Sequence, residues 1–213
     1  QFSTANYYQS VAENVPQGYS ILQVSAFDPD QGRNSKIEYT LRDTSIRLPF
    51  LIEKDTGWIK TSKVLDREVA GSYRFYVQAK DQGSPPHSAI ANVQISVLDR
   101  NDNDPKMSQR EYGIVVSESA PLGSEVLKVV ASDPDENSEI RYEIIGGNLG
   151  NSFSISSHQG AGVITIAQPL DYNKSKFFKL SVKAIDSGGR FTTSAVNVNI
   201  TDSNNHAPRF ENT

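Results

Sequence analysis

A chain of 213 residues has room for one large domain or for two of about 100 residues each. Its 37% hydrophobic content can fill real cores, while a net charge of −4 with dispersed Lys and Arg argues against a nucleic-acid partner. The absence of cysteine removes disulfides, zinc–thiolate sites and a cysteine nucleophile together. No apolar run approaches the ~18 residues of a membrane helix, so no direct membrane contact is expected. The chain starts at Gln1 with neither an initiating Met nor a signal peptide, which reads as a piece of something longer.

In chain order the first landmarks are Glu13-Asn14-Val15-Pro16-Gln17-Gly18 and Asp28-Pro29-Asp30. The turn signal Asp55-Thr56-Gly57 precedes Trp58, the single tryptophan, which is expected to pack at a sheet edge. Leu65-Asp66-Arg67-Glu68 follows. Tyr73, Phe75, Val77 and Ala79 then alternate with polar residues, the period of a half-buried strand, and end at Asp81. After the turn Gly83-Ser84-Pro85-Pro86, Ala91, Val93, Ile95 and Val97 alternate with Asn92, Gln94 and Ser96. The acidic run Asp99-Arg100-Asn101-Asp102-Asn103-Asp104-Pro105 comes next, and beyond it the landmarks return. Glu118 lies 105 residues after Glu13, Asp133 after Asp28, Asp171 after Asp66 and Asp186 after Asp81. Gly146-Gly147 punctuates the second copy, whose strands run through Leu180, Val182 and Ala184 and through Val196, Val198 and Ile200. Acidic landmarks in constant register mean two copies of one domain. No long stretch shows a helical period, so the expected fold is all-β. It consists of two seven-stranded Greek-key sandwiches joined end to end, over residues 1–102 and 103–213. In pairs such as Tyr7-Tyr8 and Phe177-Phe178, one ring should face in and one out.

The run from Asp99 to Pro105 resembles the Asp-x-Asn-Asp-Asn-x-Pro linker of cadherins. Glu13, Asp66-Arg67-Glu68, Asp133-Pro134-Asp135 and Ala184-Ile185-Asp186 fall where that family carries its other motifs. The resemblance implies calcium as the cofactor, held by Glu13, Asp66 and Glu68 of the first repeat. The linker would add Asp99, Asn101 and Asp102 with the carbonyls of Arg100 and Asn103. The second repeat would add Asp133, Asp135 and Asp186 with the carbonyl of Asn137. Such linkers hold about three calcium ions, and hard cations of this kind take oxygen ligands only. At the outer ends, Asp28, Asp30, Asn34 and Asp81 would receive ions from a preceding repeat. Glu118, Asp171 and Asp202 would face a following one. That last set departs from the family pattern, because Asn173 replaces the counterpart of Glu68 and Asn205 that of Asp102. It is therefore expected to bind fewer ions, or none, and to be more flexible.

The resemblance further implies calcium-dependent cell–cell adhesion at the extracellular face of the plasma membrane. Partners would be other cadherin ectodomains, homophilic or heterophilic, with more repeats on both sides in the same chain. The tryptophan that strand-swapping cadherins exchange has no counterpart after Gln1-Phe2, which points to a long member of the Fat, Dachsous, Flamingo or protocadherin kind. The alternative is a calcium-stiffened spacer with no adhesive contact of its own. Carbohydrate binding would require an exposed aromatic platform. Catalysis is not expected: His87, His158 and His206 are scattered, and the Gly-rich segments open no helix. Asn173 and Asn199 head glycosylation sequons, and Asn199 is expected on an outward strand position.

Overall fold

The structure, a computed structural model, describes residues 1–30, 35–42 and 48–204, so Asn34, Asn205 and His206 lie outside the described residues. The chain divides into two compact units, Gln1–Arg100 and Asn101–Thr213. Both are all-β sandwiches. Among the described residues the helical content of the named elements is a single 3-10 turn at Leu149–Asn151.

In the first unit the strands are β1 (Asn6–Ala12), β2 (Ser20–Gln23), β3 (Glu38–Arg42), β4 (Phe50–Ile52), β5 (Trp58–Thr61), β6 (Ser72–Lys80) and β7 (Ser88–Leu98). One sheet has the order β1-β7-β6-β3, the other β2-β5-β4. The chain thus crosses repeatedly between sheets, as a Greek key requires. Strand β1 runs parallel to β7, its last neighbour in sequence, over seven residues. The predicted alternation holds in both long strands: Phe75, Val77 and Ala79 of β6 and Ala91, Val93, Ile95 and Val97 of β7 are buried. They close on Ile21, Phe50 and Ile59 of the other sheet, and on Val24 just past β2, in one core. Gly57 turns β4 into β5 with φ +73°, where a Cβ would lie 2.3 Å from the Val24 carbonyl oxygen. Trp58 beside it is 36% exposed, more open than an edge-packed ring, while its neighbour Ile59 is fully buried.

The second unit repeats the plan. Its strands are β8 (Lys106–Met107), β9 (Glu111–Ser117), β10 (Glu125–Ser132), β11 (Arg141–Gly146), β12 (Phe153–His158), β13 (Ala161–Ile166), β14 (Phe177–Ile185) and β15 (Phe191–Thr201). The sheets have the orders β12-β13-β10-β8 and β11-β14-β15-β9. Here the first strand is split, with β8 pairing to β10 and β9 running parallel to β15. In the first unit the counterpart of β8 is the isolated Phe2–Ala26 bridge. Tyr7 is half-buried beside an exposed Tyr8, and Phe178 is buried beside an exposed Phe177. Asn199 sits on the exposed face of β15.

Candidate metal centre

At the carboxyl end of the first unit, Glu13 leaves β1 fully buried yet anionic in type. Its two oxygens are consumed by the backbone: Oε1 accepts from the Arg100 N–H at 2.7 Å and Oε2 from the Arg67 N–H at 2.8 Å. One side chain thus pins the Leu65–Glu68 loop and the end of β7 to β1. Asn14, in the left-handed region at φ 60°, donates its N–H to the Leu65 carbonyl and completes the clasp. Asp66 and Glu68 are brought round to Glu13, so that one carboxylate oxygen from each lies within 4.8 Å of the others. Asp99 stands beside them. The Arg67 guanidinium bonds Asp99 through Nε and Glu68 through Nη2, an internal counter-cation that the motif alone did not announce.

In the second unit Asp133, Asp135 and Asp186 converge within the same 4.8 Å limit, Asp135 and Asp186 being buried. Each is held by local bonds. The Asp135 N–H donates to Asp133 Oδ1 at 3.0 Å, and Asp186 Oδ1 accepts from the Arg190 N–H at 2.8 Å. The linker docks on these acids. Asn101 Nδ2 donates to Asp186 Oδ2 at 3.0 Å, and Asn103 donates from both its backbone and its side chain to Asp135, at 3.0 and 2.7 Å. Asp102 Oδ1 accepts from Asn103 Nδ2 at 2.8 Å. Asn137 takes a left-handed φ of 55°, a conformation that asparagine tolerates better than most residues. Gly188 makes room for Asn101, since a Cβ there would lie 2.4 Å from its Oδ1.

Asp133 Oδ2 is buried with no hydrogen-bond partner among the described residues. A buried carboxylate oxygen without a donor is costly unless a cation meets it. The neighbouring donors are carboxylates, amides and carbonyls, with no His or Cys in either group, which suits a hard divalent cation rather than a transition metal.

The outer sets are less complete. Asp28 accepts the Asp30 N–H at 3.0 Å, repeating the Asp133–Asp135 turn. Asp81 is buried and accepts from Gly83 and His87 N–H groups, which hold its carboxyl below the usual range. Glu118 repeats Glu13: it accepts from Tyr172 N–H at 2.8 Å and Ser203 N–H at 3.0 Å, and these bonds likewise lower its pKa. Asp171 is lowered mainly by the Lys174 ammonium, 3.1 Å from its Oδ2. Among the described residues, neither Asp28, Asp30 and Asp81 nor Glu118, Asp171 and Asp202 close into a three-carboxylate group.

A Greek-key sandwich with its first and last strands parallel and acid groups at its ends defines a class of tandemly repeated β-sandwich domain. The Cadherin domain profile matches residues 7–98 and 112–201, and the chain belongs to the cadherin family as two tandem repeats. Among curated proteins it is 49% identical over its whole length to the protocadherin-like wing polarity protein stan of Drosophila melanogaster. It is 44% identical over 99% of its length to the mouse Cadherin EGF LAG seven-pass G-type receptor 3. The chain spans about 6% of the length of each of these relatives. Among solved structures, mouse Cadherin-23 EC22-24 superposes with a TM-score of 0.86 at 28% identity, over 96% of this chain and 67% of that one. Protocadherin gammaB7 EC3-6 gives 0.85 at 29% identity, over 98% and 52%.

Proposed function

We propose that this chain is a calcium-dependent adhesion segment of a cell-surface cadherin, displayed on the extracellular face of the plasma membrane. On this reading Glu13, Asp66, Glu68 and Asp99 of the first repeat act with Asn101, Asp102, Asp133, Asp135 and Asp186 across the linker. The carbonyls of Arg100, Asn103 and Asn137 complete the set, and together they hold about three calcium ions. The observation that carries the reading is the buried Oδ2 of Asp133, without a hydrogen-bond partner among the described residues, within an all-oxygen acidic group.

When bound, calcium supplies positive charge that neutralises the carboxylates and draws ligands of successive repeats together. The chain's own residues do the rest. Glu13 fixes the loop that carries Asp66 and Glu68, and Asn101 and Asn103 fix the linker against the second repeat. Extracellular calcium modules bind at about 10⁻⁴ to 10⁻³ M. At roughly millimolar calcium a site at the tight end adds about 1.4 kcal/mol, enough to freeze a linker rather than to fold a sandwich. Asp28, Asp30, Asn34 and Asp81 receive ions from a preceding repeat. Glu118, Asp171 and Asp202, short of two acids, hold fewer ions than the central set. The adhesive partners are other cadherin ectodomains.

Isothermal calorimetry on the 213-residue chain tests this, with Asp102→Ala as control and thermal unfolding with and without calcium alongside. The expected result is about three ions in the parent, a rise in melting temperature, and loss of both in the variant. Absence of binding at millimolar calcium would overturn the reading.

A further inference from the structure

The outer face of the four-stranded sheet in the first repeat carries a groove that the fold does not need. Tyr8 on β1 and Tyr76 on β6 stand on that face, 72% and 45% exposed, with β7 running between them. Tyr8 lies opposite Gln94 and Tyr76 opposite Asn92, so two phenol rings flank a floor of two amides. Strand spacing of about 4.8 Å sets the ring-bearing backbones roughly 10 Å apart. The cavity between them measures about 490 Å³, within the usual range of small-molecule sites. Among the described residues no carboxylate lines it. Among the described residues its one charge is Arg74 on β6, opposite Gln94 of β7, and that guanidinium makes no ion pair with any of them. Arg42, opposite Tyr76, is engaged with the Gln78 side-chain oxygen at 2.8 and 2.6 Å rather than with an acid.

The second repeat is an internal control. Its sheet has the same ladder, with Gly113 opposite Asn197 where Tyr8 faces Gln94, and Ser181 opposite Ala195 where Tyr76 faces Asn92. The second sandwich therefore forms without a ring at either position, so the fold does not call for the two tyrosines.

Tyrosine faces stack on the apolar C–H faces of pyranose rings, and the Gln94 carboxamide can donate and accept at once, as neighbouring sugar hydroxyls require, while Asn92, whose Nδ2 already donates to Asn6 Oδ1 at 2.9 Å, offers its oxygen. An unpaired guanidinium adds a two-pronged fit to a carboxylate. We propose that this groove binds a short acidic glycan, two or three sugars long with one carboxylate, by stacking between Tyr8 and Tyr76 over Asn92 and Gln94.

Amide NMR titration of the 213-residue chain with sialyllactose, and separately with uncharged lactose, tests the proposal. Sialyllactose should shift signals around Tyr8, Tyr76 and Gln94 saturably, with a Kd near ~1 mM, and lactose should bind about tenfold more weakly. Tyr8→Ser and Tyr76→Ser should each abolish the shifts while leaving the unfolding curve in place, and Arg74→Gln should make the two sugars equivalent. No saturable shift up to roughly ten times that Kd would overturn the site. Equal affinities in the parent would overturn the acidic class. Shifts that follow protein concentration without sugar would mean that the face meets a second copy instead.

Discussion

Burying a carboxylate is expensive, and Glu13 offsets that cost by accepting two backbone N–H groups from two different segments. Its first task is therefore structural. Glu13→Ala should destabilise the first repeat by about 2 kcal/mol even in EDTA, read by chemical denaturation, because two part-buried backbone N–H donors lose their acceptor. An Asp102→Ala change should be nearly silent in EDTA. Tyr142 provides a second residue-scale test, accepting the Ala131 N–H at 2.8 Å and donating to the Gly160 carbonyl at 2.9 Å. Burial raises the pKa of its phenol. The folded state thus holds this proton more tightly than the unfolded chain does. The contribution is fully present below the ordinary tyrosine value and is lost as pH rises past about 10. Tyr142→Phe should cost roughly 1–3 kcal/mol at neutral pH and flatten that alkaline loss, as followed by denaturation at several pH values. The candidate ligand types were legible in the sequence because acids at fixed spacing have few other reasons to recur. The Arg67 counter-cation was not, since nothing in Asp66-Arg67-Glu68 says that the guanidinium turns toward Asp99.

Among the elements, β6, β7, β14 and β15 were readable from alternation alone, because each buries one face along its whole length. The short strands β2, β4 and β5 were not, having three or four residues and no room for a period. The split of the first strand into β8 and β9 left no mark either, since pairing partners are chosen in three dimensions. Two glycines show how turns between elements serve the packing. Gly57→Ala combines a left-handed φ with a Cβ 2.3 Å from a carbonyl oxygen, and should cost the first repeat more than about 2 kcal/mol in thermal unfolding. Gly188→Ala would press on Asn101 and loosen the linker from Asp186. Its expected signature is a several-fold loss of calcium affinity in calorimetry, with the sandwich still folded.

For the molecule as a whole, two copies of one fold carry different acidic sets at their ends. The set around Glu118, Asp171 and Asp202 has Asn173 where the first repeat has Glu68, and already places a lysine on Asp171. In a protein extended by one further repeat, calcium titration should give fewer ions at the second linker than at the first, and equal numbers at both would contradict this. The repeat architecture was visible in the sequence because duplication writes its own register. The tyrosine groove was not, because only the ladders reveal that Tyr8 and Tyr76 share a face. The parallel pairing of first and last strands has a mechanical meaning. Pulling on the two ends of either repeat drives β1 against β7, or β9 against β15, along their common direction. Seven paired positions in each ladder then carry the load together, instead of opening one at a time like a zip. Each sandwich is thereby wired to resist stretching along the chain, whatever occupies its ends.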